Sequence, residues 1–233
     1  MDFNPFIGSG CGNTFLVVSQ RFCEKNPDRK ILDMWKQSGV DSVLLLSPTT
    51  KGDVKMFVPG ADGIWGKESG EFCGNGSRVV AKFWKLLTGK DPVIVSRSGV
   101  CFPSLLEKDV VHVQFPLPEI YGEVILAGGE PHSRVPVDMK ISDLLRFCNN
   151  RTRRVSANRV TILSANSISV RTFEHSINKF TGCCGTGCIS MSYLCHREGL
   201  VPSEISVMAP GGSLGMSIGN KTLVMSGPAE ITL

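Results

Sequence analysis

The chain has 233 residues, of which 42% are apolar and 20% charged, with a formal net charge of +4. That length accommodates one large domain or two small ones with cores of their own, and the composition is that of a folded chain, which excludes intrinsic disorder. Lys and Arg are dispersed and form no basic run, so nothing points to a nucleic-acid-binding arm.

In chain order, Gly8-Ser9-Gly10-Cys11-Gly12-Asn13 reads as a loop and residues 14–19 as the first strand. Asn26-Pro27 predicts a helix start, with Asn as cap and Pro at the first helical position, running to Ser38 with Gly39 as its stop. Residues 43–47 and 54–58 read as strands joined through the turn Lys51-Gly52-Asp53. Residues 59–72 contain four glycines and no periodicity, which predicts a loop. Cys73-Gly74-Asn75-Gly76 then opens a helix ending near Thr88, closed by Gly89. Strands follow at residues 93–97, 101–106 and 110–115, and Pro116-Leu117-Pro118 is the candidate linker. The second half predicts strands at residues 123–127 and 133–137, a short helix from Ser142, and strands at 160–164 and 167–173. Cys184-Gly185-Thr186-Gly187 opens a helix to about Arg197, followed by Gly199, and strands at 204–208, 214–218 and 222–226 complete the pattern.

The longest aliphatic stretch, residues 43–46, is far too short to cross a bilayer. The opening Met1-Asp2-Phe3-Asn4-Pro5 lacks the basic and apolar regions of a secretory signal, so a cytoplasmic chain without membrane partners is expected. Nine cysteines in such a chain point to small buried hydrophobes, metal ligands or reactive thiols rather than to a disulfide framework.

The informative feature is an internal echo. Cys73-Gly74-Asn75-Gly76 opens one helix that ends before Gly89, and Cys184-Gly185-Thr186-Gly187 opens another that ends before Gly199. The echo predicts a pseudo-symmetric α/β molecule with one lobe at 1–116 carrying Cys73, a second at 117–233 carrying Cys184, and a site in the cleft between them. A helix N-terminus has unpaired N–H groups and partial positive charge, which favour thiolate and carboxylate alike. The glycines are expected to admit an anion close to the backbone and to let the chain take positive φ. Inverting a carbon acid requires one group to remove the proton from one face and a second to donate on the other. Two thiols on opposite walls of a cleft meet that requirement, with a coupled titration.

Other readings use the same residues. Cys183, Cys184, Cys188, Cys195 and His196 are zinc-ligand types, although their spacing is not that of a structural zinc knuckle and Cys188 and Cys195 suit a core. A Cys–His hydrolase would draw on His132 or His175, yet no local nucleophile signature accompanies them.

At this point the chain resembles the diaminopimelate epimerase family over nearly its whole length. The matching pieces occur in family order: Gly12-Asn13, Phe72-Cys73-Gly74-Asn75-Gly76-Ser77-Arg78, Gly129-Glu130-Pro131-His132, Asn158, Phe173-Glu174, Cys184-Gly185-Thr186-Gly187, Pro210-Gly211-Gly212-Ser213-Leu214 and Ser226-Gly227-Pro228-Ala229. The resemblance implies an α+β fold of two lobes, each a curved, mainly antiparallel sheet around a central helix, closing over substrate. It implies no metal, no pyridoxal phosphate, and commonly a homodimer. It implies the LL-to-meso inversion of diaminopimelate in lysine and peptidoglycan precursor synthesis. Cys73 and Cys184 would be the catalytic thiols. Gly74, Asn75, Gly185 and Thr186 would grip the reacting end of the amino acid, and Asn13, Asn158 and Glu174 would line the pocket with His175 beside them. Facing thiols of this kind would also be expected to form a disulfide in air. A proline-racemase-like isomerase and a catalytically silent amino-acid-binding protein of the same fold are the competing readings.

The departures from the family pattern fall where the far end of the substrate would be read. Glu130 replaces Asn in the Gly-Asn-Pro-His motif, and His175 replaces Arg after Glu174. Asp41-Ser42 stands for Asp-Gln, the Asn-x-Asp-Gly-Ser segment is not recognisable around Gly60-Ala61-Asp62-Gly63, and the tail after Ala229 is short. Loss of an arginine removes a permanently charged bidentate grip on carboxylate, which predicts broadened specificity that includes glutamate. Whether the last strand returns to the first lobe is left open.

Overall fold

The computed structural model describes residues 3–58, 72–96, 99–149 and 154–232. Of the expected loop at residues 59–72, all but Phe72 lies outside the described residues, as does the Arg97 end of the strand expected at 93–97. The chain divides into two compact units, Met1–Val113 with Pro228–Leu233, and Gln114–Gly227.

In the first unit β1 (Phe6–Gly10) and β2 (Asn13–Ser19) form an antiparallel hairpin. Helices α1 (Gln20–Lys25) and α2 (Asp28–Ser38) lead to β3 (Ser42–Pro48), parallel to β2, and β4 (Val54–Phe57) returns antiparallel. Helix α3 (Gly74–Thr88) crosses to β5 (Val93–Val95), parallel to β4, and β6 (Cys101–Glu107) and β7 (Val110–Pro116) follow antiparallel.

The second unit repeats this order. β8 (Glu119–Tyr121), β9 (Val124–Ala127) and β10 (Glu130–Val135) are antiparallel neighbours. Helix α4 (Ile141–Asn149) leads to β11 (Ser156–Ser164), parallel to β10, and β12 (Ser167–Glu174) returns antiparallel. After the short β13 (Lys179–Phe180), α5 (Gly185–Arg197) crosses to β14 (Glu204–Ala209), parallel to β12, and β15 (Gly212–Ile218) and β16 (Thr222–Pro228) follow antiparallel. The last strand, β17 (Glu230–Thr232), pairs antiparallel with β1, as β8 pairs with β9. From β1 to β7, and from β9 to β16 with β13 left aside, the pairings run antiparallel, parallel, antiparallel, parallel, antiparallel, antiparallel. Each parallel step needs a crossover, and helices fill them. The echo of the cysteine motifs is thus one part of a repeat of the whole unit.

Burial explains the layering. β2 is buried without a break over Phe15 to Ser19, and β3 over Val43 to Leu46, the pattern of strands covered on both faces. Leu16, Val18, Val43 and Leu45 pack with Cys23 of α1 and Ile31 of α2. Leu44 points the other way, toward α3: a Cβ on Gly76 would stand 2.9 Å from its Cδ2. In the second unit Val135, Ala157 and Phe173 pack against Leu144 and Cys148 of α4, while α5 contacts β9, β10, β11 and β12. Both central helices are therefore enclosed by their sheets, and each fully buried aliphatic side chain contributes about 2 kcal/mol.

Three local expectations are corrected. The glycine-rich segment at 8–13 is not wholly loop: Gly8 and Gly10 lie in β1, and only Cys11 and Gly12, both at positive φ, make the turn. These glycines are spacers. A Cβ on Gly8 would lie 2.3 Å from Val79 Cγ1, and one on Gly10 would lie 3.0 Å from the Asn75 carbonyl oxygen, so α3 packs where side chains would stand. Asn26 does not cap the following helix. Its Nδ2 donates to the Phe22 carbonyl at 2.7 Å at the end of α1, and Pro27 is itself the N-cap of α2. Helix α1 starts directly from the end of β2, with Ser19 Oγ accepting from Phe22 N at 3.1 Å. No helix among the described residues is long and apolar enough to cross a membrane.

Candidate active site

Cys73 is the N-cap of α3, with extended φ of −120°, and its Sγ accepts a hydrogen bond from Gly76 N at 3.3 Å. Cys184 is the N-cap of α5 in the same conformation, with φ of −110°. Its Sγ lies 3.5 Å from Thr186 Oγ1. An extended N-cap projects its side chain over the open first turn, where backbone N–H groups lack the carbonyl one turn earlier. The glycines do not act as expected, because none of Gly74, Gly76, Gly185 and Gly187 has positive φ. Gly76 and Gly187 are needed for close packing: a Cβ on Gly187 would lie 2.6 Å from Thr172 Oγ1 and 2.7 Å from Asn158 Oδ1.

The structure gathers the predicted residues into two groups, one in each unit. In the first, β1–β2 register sets Asn13 opposite Gly10, and Gly10 in turn lies against Asn75 on the first turn of α3. Thr14, next to Asn13 at the head of β2, is held by Asp41, whose Oδ2 accepts from Thr14 N at 2.8 Å and from Thr14 Oγ1 at 3.0 Å. Asp41, the neighbour of the departure at Ser42, is therefore an anchor for the strand that carries Asn13. The Asn75 side chain is buried and its Oδ1 accepts from Arg78 Nη2 at 3.0 Å. Arg78 is itself buried, and its Nε donates to the Pro228 carbonyl, tying α3 to the returning tail.

In the second group, Asn158 and Thr186 meet through a residue that the sequence reading left outside the site. His132, buried on β10, has its Nε2 3.0 Å from Thr186 Oγ1 and its Nδ1 3.3 Å from Asn158 Nδ2. Asn158 Nδ2 also donates to the Ser133 and Ser156 carbonyls, each at 3.2 Å, and its Oδ1 accepts from Thr172 Oγ1 at 2.8 Å. Both ends of the Asn158 amide are thus engaged by neighbouring protein groups. Glu174, at the end of β12, accepts from Thr181 Oγ1 at 2.8 Å. His175 Nδ1 lies 3.1 Å from Ser156 Oγ.

Charge follows from these surroundings. Burial pushes the Cys184 thiol well above its ordinary value, and the Glu174 carboxylate adds to the shift, while Thr186 Oγ1 and Gly187 N–H pull the other way. Cys184 is therefore a protonated thiol at neutral pH. Burial and the nearby His175 push His132 down to about 3, so its imidazole is neutral. His175 is also lowered, by burial and then by the Arg154 guanidinium, and is neutral as well. Cys183, Cys188 and Cys195 are buried in or beside α5, and His196 Nδ1 meets the Val201 carbonyl at 3.2 Å. Among the described residues no three His, Cys, Asp or Glu side chains converge as a metal site requires.

The fold is shared with solved proteins that include an epimerase. A diaminopimelate epimerase from Neisseria meningitidis is 30% identical, the alignment covering 95% of this chain and 93% of that protein. The diaminopimelate epimerase of Carboxydothermus hydrogenoformans is 28% identical over 95% of this chain and 94% of its own. Among solved structures, a phenazine biosynthesis protein of the PhzF family from Enterococcus faecalis superposes with a TM-score of 0.71 at 13% identity, covering 100% of this chain and 98% of that one. A hydroxyproline epimerase from Agrobacterium vitis, with bound trans-4-hydroxy-L-proline, superposes with a TM-score of 0.66 at 13% identity over 98% and 88% of the two chains. No family model matches the chain. The chain belongs to the diaminopimelate epimerase family, and is accordingly an isomerase of the amino-acid epimerase class.

Proposed function

We propose that this protein inverts the α-carbon of diaminopimelate, LL to meso, with Cys73 and Cys184 as the paired base and acid. The observation that carries the reading is that each unit holds a cysteine in the same extended N-cap geometry at the head of its central helix. One sulfur, as thiolate, takes the α-proton from one face of the carbon. The other thiol delivers its proton to the opposite face, and the product leaves with the two sulfurs' protonation exchanged. Nothing is oxidised or reduced. Cys184, held protonated by burial and by Glu174, suits the donor in the resting protein. Cys73, whose sulfur already accepts the Gly76 N–H, suits the base. The reading requires both sulfurs to reach one bound carbon from opposite faces. The first-turn N–H groups of Gly74, Asn75, Gly185 and Thr186 supply dipoles for the substrate carboxylate and for the charge that develops on it.

Substrate range follows from the departures at Glu130 and His175. A neutral His175 offers no permanent charge to a distal carboxylate, and Arg154 is the cation whose field reaches that position. We expect relaxed selection at the far end, with diaminopimelate accepted and glutamate admitted.

The test is α-proton exchange in heavy water, followed by NMR, on reduced protein given LL-diaminopimelate, L-glutamate, trans-4-hydroxy-L-proline and neutral amino acids. Deuterium entering diaminopimelate supports the reading, and entry into glutamate as well supports the broadened range. Exchange confined to hydroxyproline would move the assignment to the racemase alternative. Exchange with none, in reduced and folded protein, would leave a binding protein.

A further inference from the structure

The strands that carry Asn158 and Thr172 toward α5 present a different pair to their other face. Side chains alternate along a strand, so Arg159 of β11 and Arg171 of β12 stand on the face where Phe173 packs with α4. The antiparallel register sets Arg159 and Arg171 directly opposite each other. Like charges in that relation are destabilising. No carboxylate compensates: among the described residues neither guanidinium forms an ion pair, and the exposed Arg171 makes no hydrogen bond. What gathers them is one aromatic ring. The guanidinium carbon of Arg159 lies 4.7 Å from the Phe180 centroid, and that of Arg171 5.0 Å. Phe180 is itself set edge-on against the buried Phe173, with centroids 5.3 Å apart. Arg159 is fixed further, since Nη2 donates to the Met139 carbonyl just before α4, yet its buried Nε has no acceptor. A cation over a ring is engaged through its face, which leaves the N–H edges of the fork for other partners. The next pair on the same face, Thr161 opposite Ser169, adds two hydroxyls.

We propose that Arg159 and Arg171, braced by Phe180, bind a phosphate group, free or as a phosphate ester, on the face of β11 and β12 turned away from α5. Two guanidiniums carry the charge that a phosphate dianion neutralises, and their planar forks match its several oxygens. A carboxylate offers half that charge and fewer acceptors. An anion bound across the pair removes the repulsion between directly opposed cations and supplies acceptors to forks that the protein leaves underused. The site stands back to back with the Asn158–Thr172 hydrogen bond, which occupies the other face of the same two strands. It therefore does not rest on the two-thiol reading and would hold whatever substrate the protein inverts.

The experiment is an NMR titration of the full, reduced chain labelled with nitrogen-15, with inorganic phosphate as the probe and sodium chloride at matched ionic strength as the control. The Nε–H signals of Arg159 and Arg171 and the amides of Val160 and Val170 should shift saturably with phosphate, with half-saturation at about 1 mM, the weak end suited to an exposed site. Arg171→Gln removes one charged fork and should weaken binding about tenfold or more. Because Arg171 is exposed and bonds to nothing else, that variant should fold normally. Arg159→Gln should weaken binding likewise, and if loss of its bond to Met139 prevents folding, Arg171→Gln decides alone. Equal shifts with chloride, or wild-type affinity in Arg171→Gln, would overturn the proposal. Two further arms name the source of the phosphate. Glycerol phosphate binding without retention on phosphatidate vesicles supports a soluble ester, and vesicle retention that is lost in Arg171→Gln supports a lipid headgroup.

Discussion

A Cβ at Gly187 would stand 2.7 Å from Asn158 Oδ1, so the head of α5 rests directly on the amide whose nitrogen lies 3.3 Å from His132 Nδ1. The matching glycine of the first unit, Gly76, approaches Leu44 instead, at 2.9 Å from its Cδ2. The two positions look equivalent in sequence and differ in what would have to yield. Leu44 offers the end of a rotatable side chain. Asn158 and Thr172 are held by hydrogen bonds to each other and to β10 and β11.

Gly187→Ala should therefore lower unfolding free energy by about 2 kcal/mol, the cost of overpacking a rigid site, partly offset by alanine's better helix propensity. Gly76→Ala should cost less than about 1 kcal/mol. Urea denaturation of both variants checks this, and equal losses would mean that the network under α5 is as yielding as a leucine.

His132 makes the fold sensitive to acid. Its folded value is lowered to about 3 from an ordinary 6.5. Between those limits the unfolded chain binds a proton at this residue and the folded chain does not, so stability is full above pH 6.5 and declines as the pH falls toward 3. The slope from this one residue is at most about 1.4 kcal/mol per pH unit. His175, also lowered, adds in the same direction. His132→Gln should flatten the acid limb of stability measured by urea midpoints at pH 7, 5.5 and 4. A limb as steep as that of wild type would place the acid sensitivity elsewhere.

Much of this was legible before any coordinates. Cys73 and Cys184 announced their helices because an N-cap followed by small residues, with a glycine one helix-length later, is a local signal. β1 was not legible, since glycines that make room for α3 are indistinguishable in sequence from glycines that turn the chain. Nor was α1, because Ser19 serves at once as the last residue of β2 and as the cap of the helix, with no breaker between. His132 was visible as part of Gly129-Glu130-Pro131-His132, but its partners come from β11 and α5, far along the chain, and only the fold brings Asn158 and Thr186 to it. Asn158 could be recognised as a site residue by resemblance, whereas its commitment to two carbonyls depends on the parallel β10–β11 register.

The two cysteines make unequal demands on the rest of the molecule but should be equally necessary. Cys73→Ala and Cys184→Ala should each reduce the rate of inversion of LL-diaminopimelate by about a hundred- to ten-thousandfold, the range contributed by a positioned acid or base. Fold integrity should be spared, because both residues are only part-buried and removal of a single sulfur leaves a small void. Polarimetry or chiral chromatography of the product pool gives the rate, and full turnover in either variant would refute the two-thiol assignment.

The substitution most open to a direct test of specificity is at 175. The family's arginine would carry charge at every pH, whereas His175 is neutral at pH 7, lowered by burial and by Arg154, and is engaged by Ser156 Oγ at 3.1 Å. Restoring arginine supplies a planar, permanently charged fork for a carboxylate. A bidentate ion pair of that kind, discounted for the partial exposure of the site, amounts to about a tenfold gain in binding. His175→Arg should accordingly lower KM for diaminopimelate about tenfold, with little change in kcat, and should leave glutamate unimproved because its shorter chain cannot span to the same group. Steady-state kinetics on both substrates checks the difference. A parallel gain for glutamate, or no change for either, would mean that position 175 does not read the far end of the substrate.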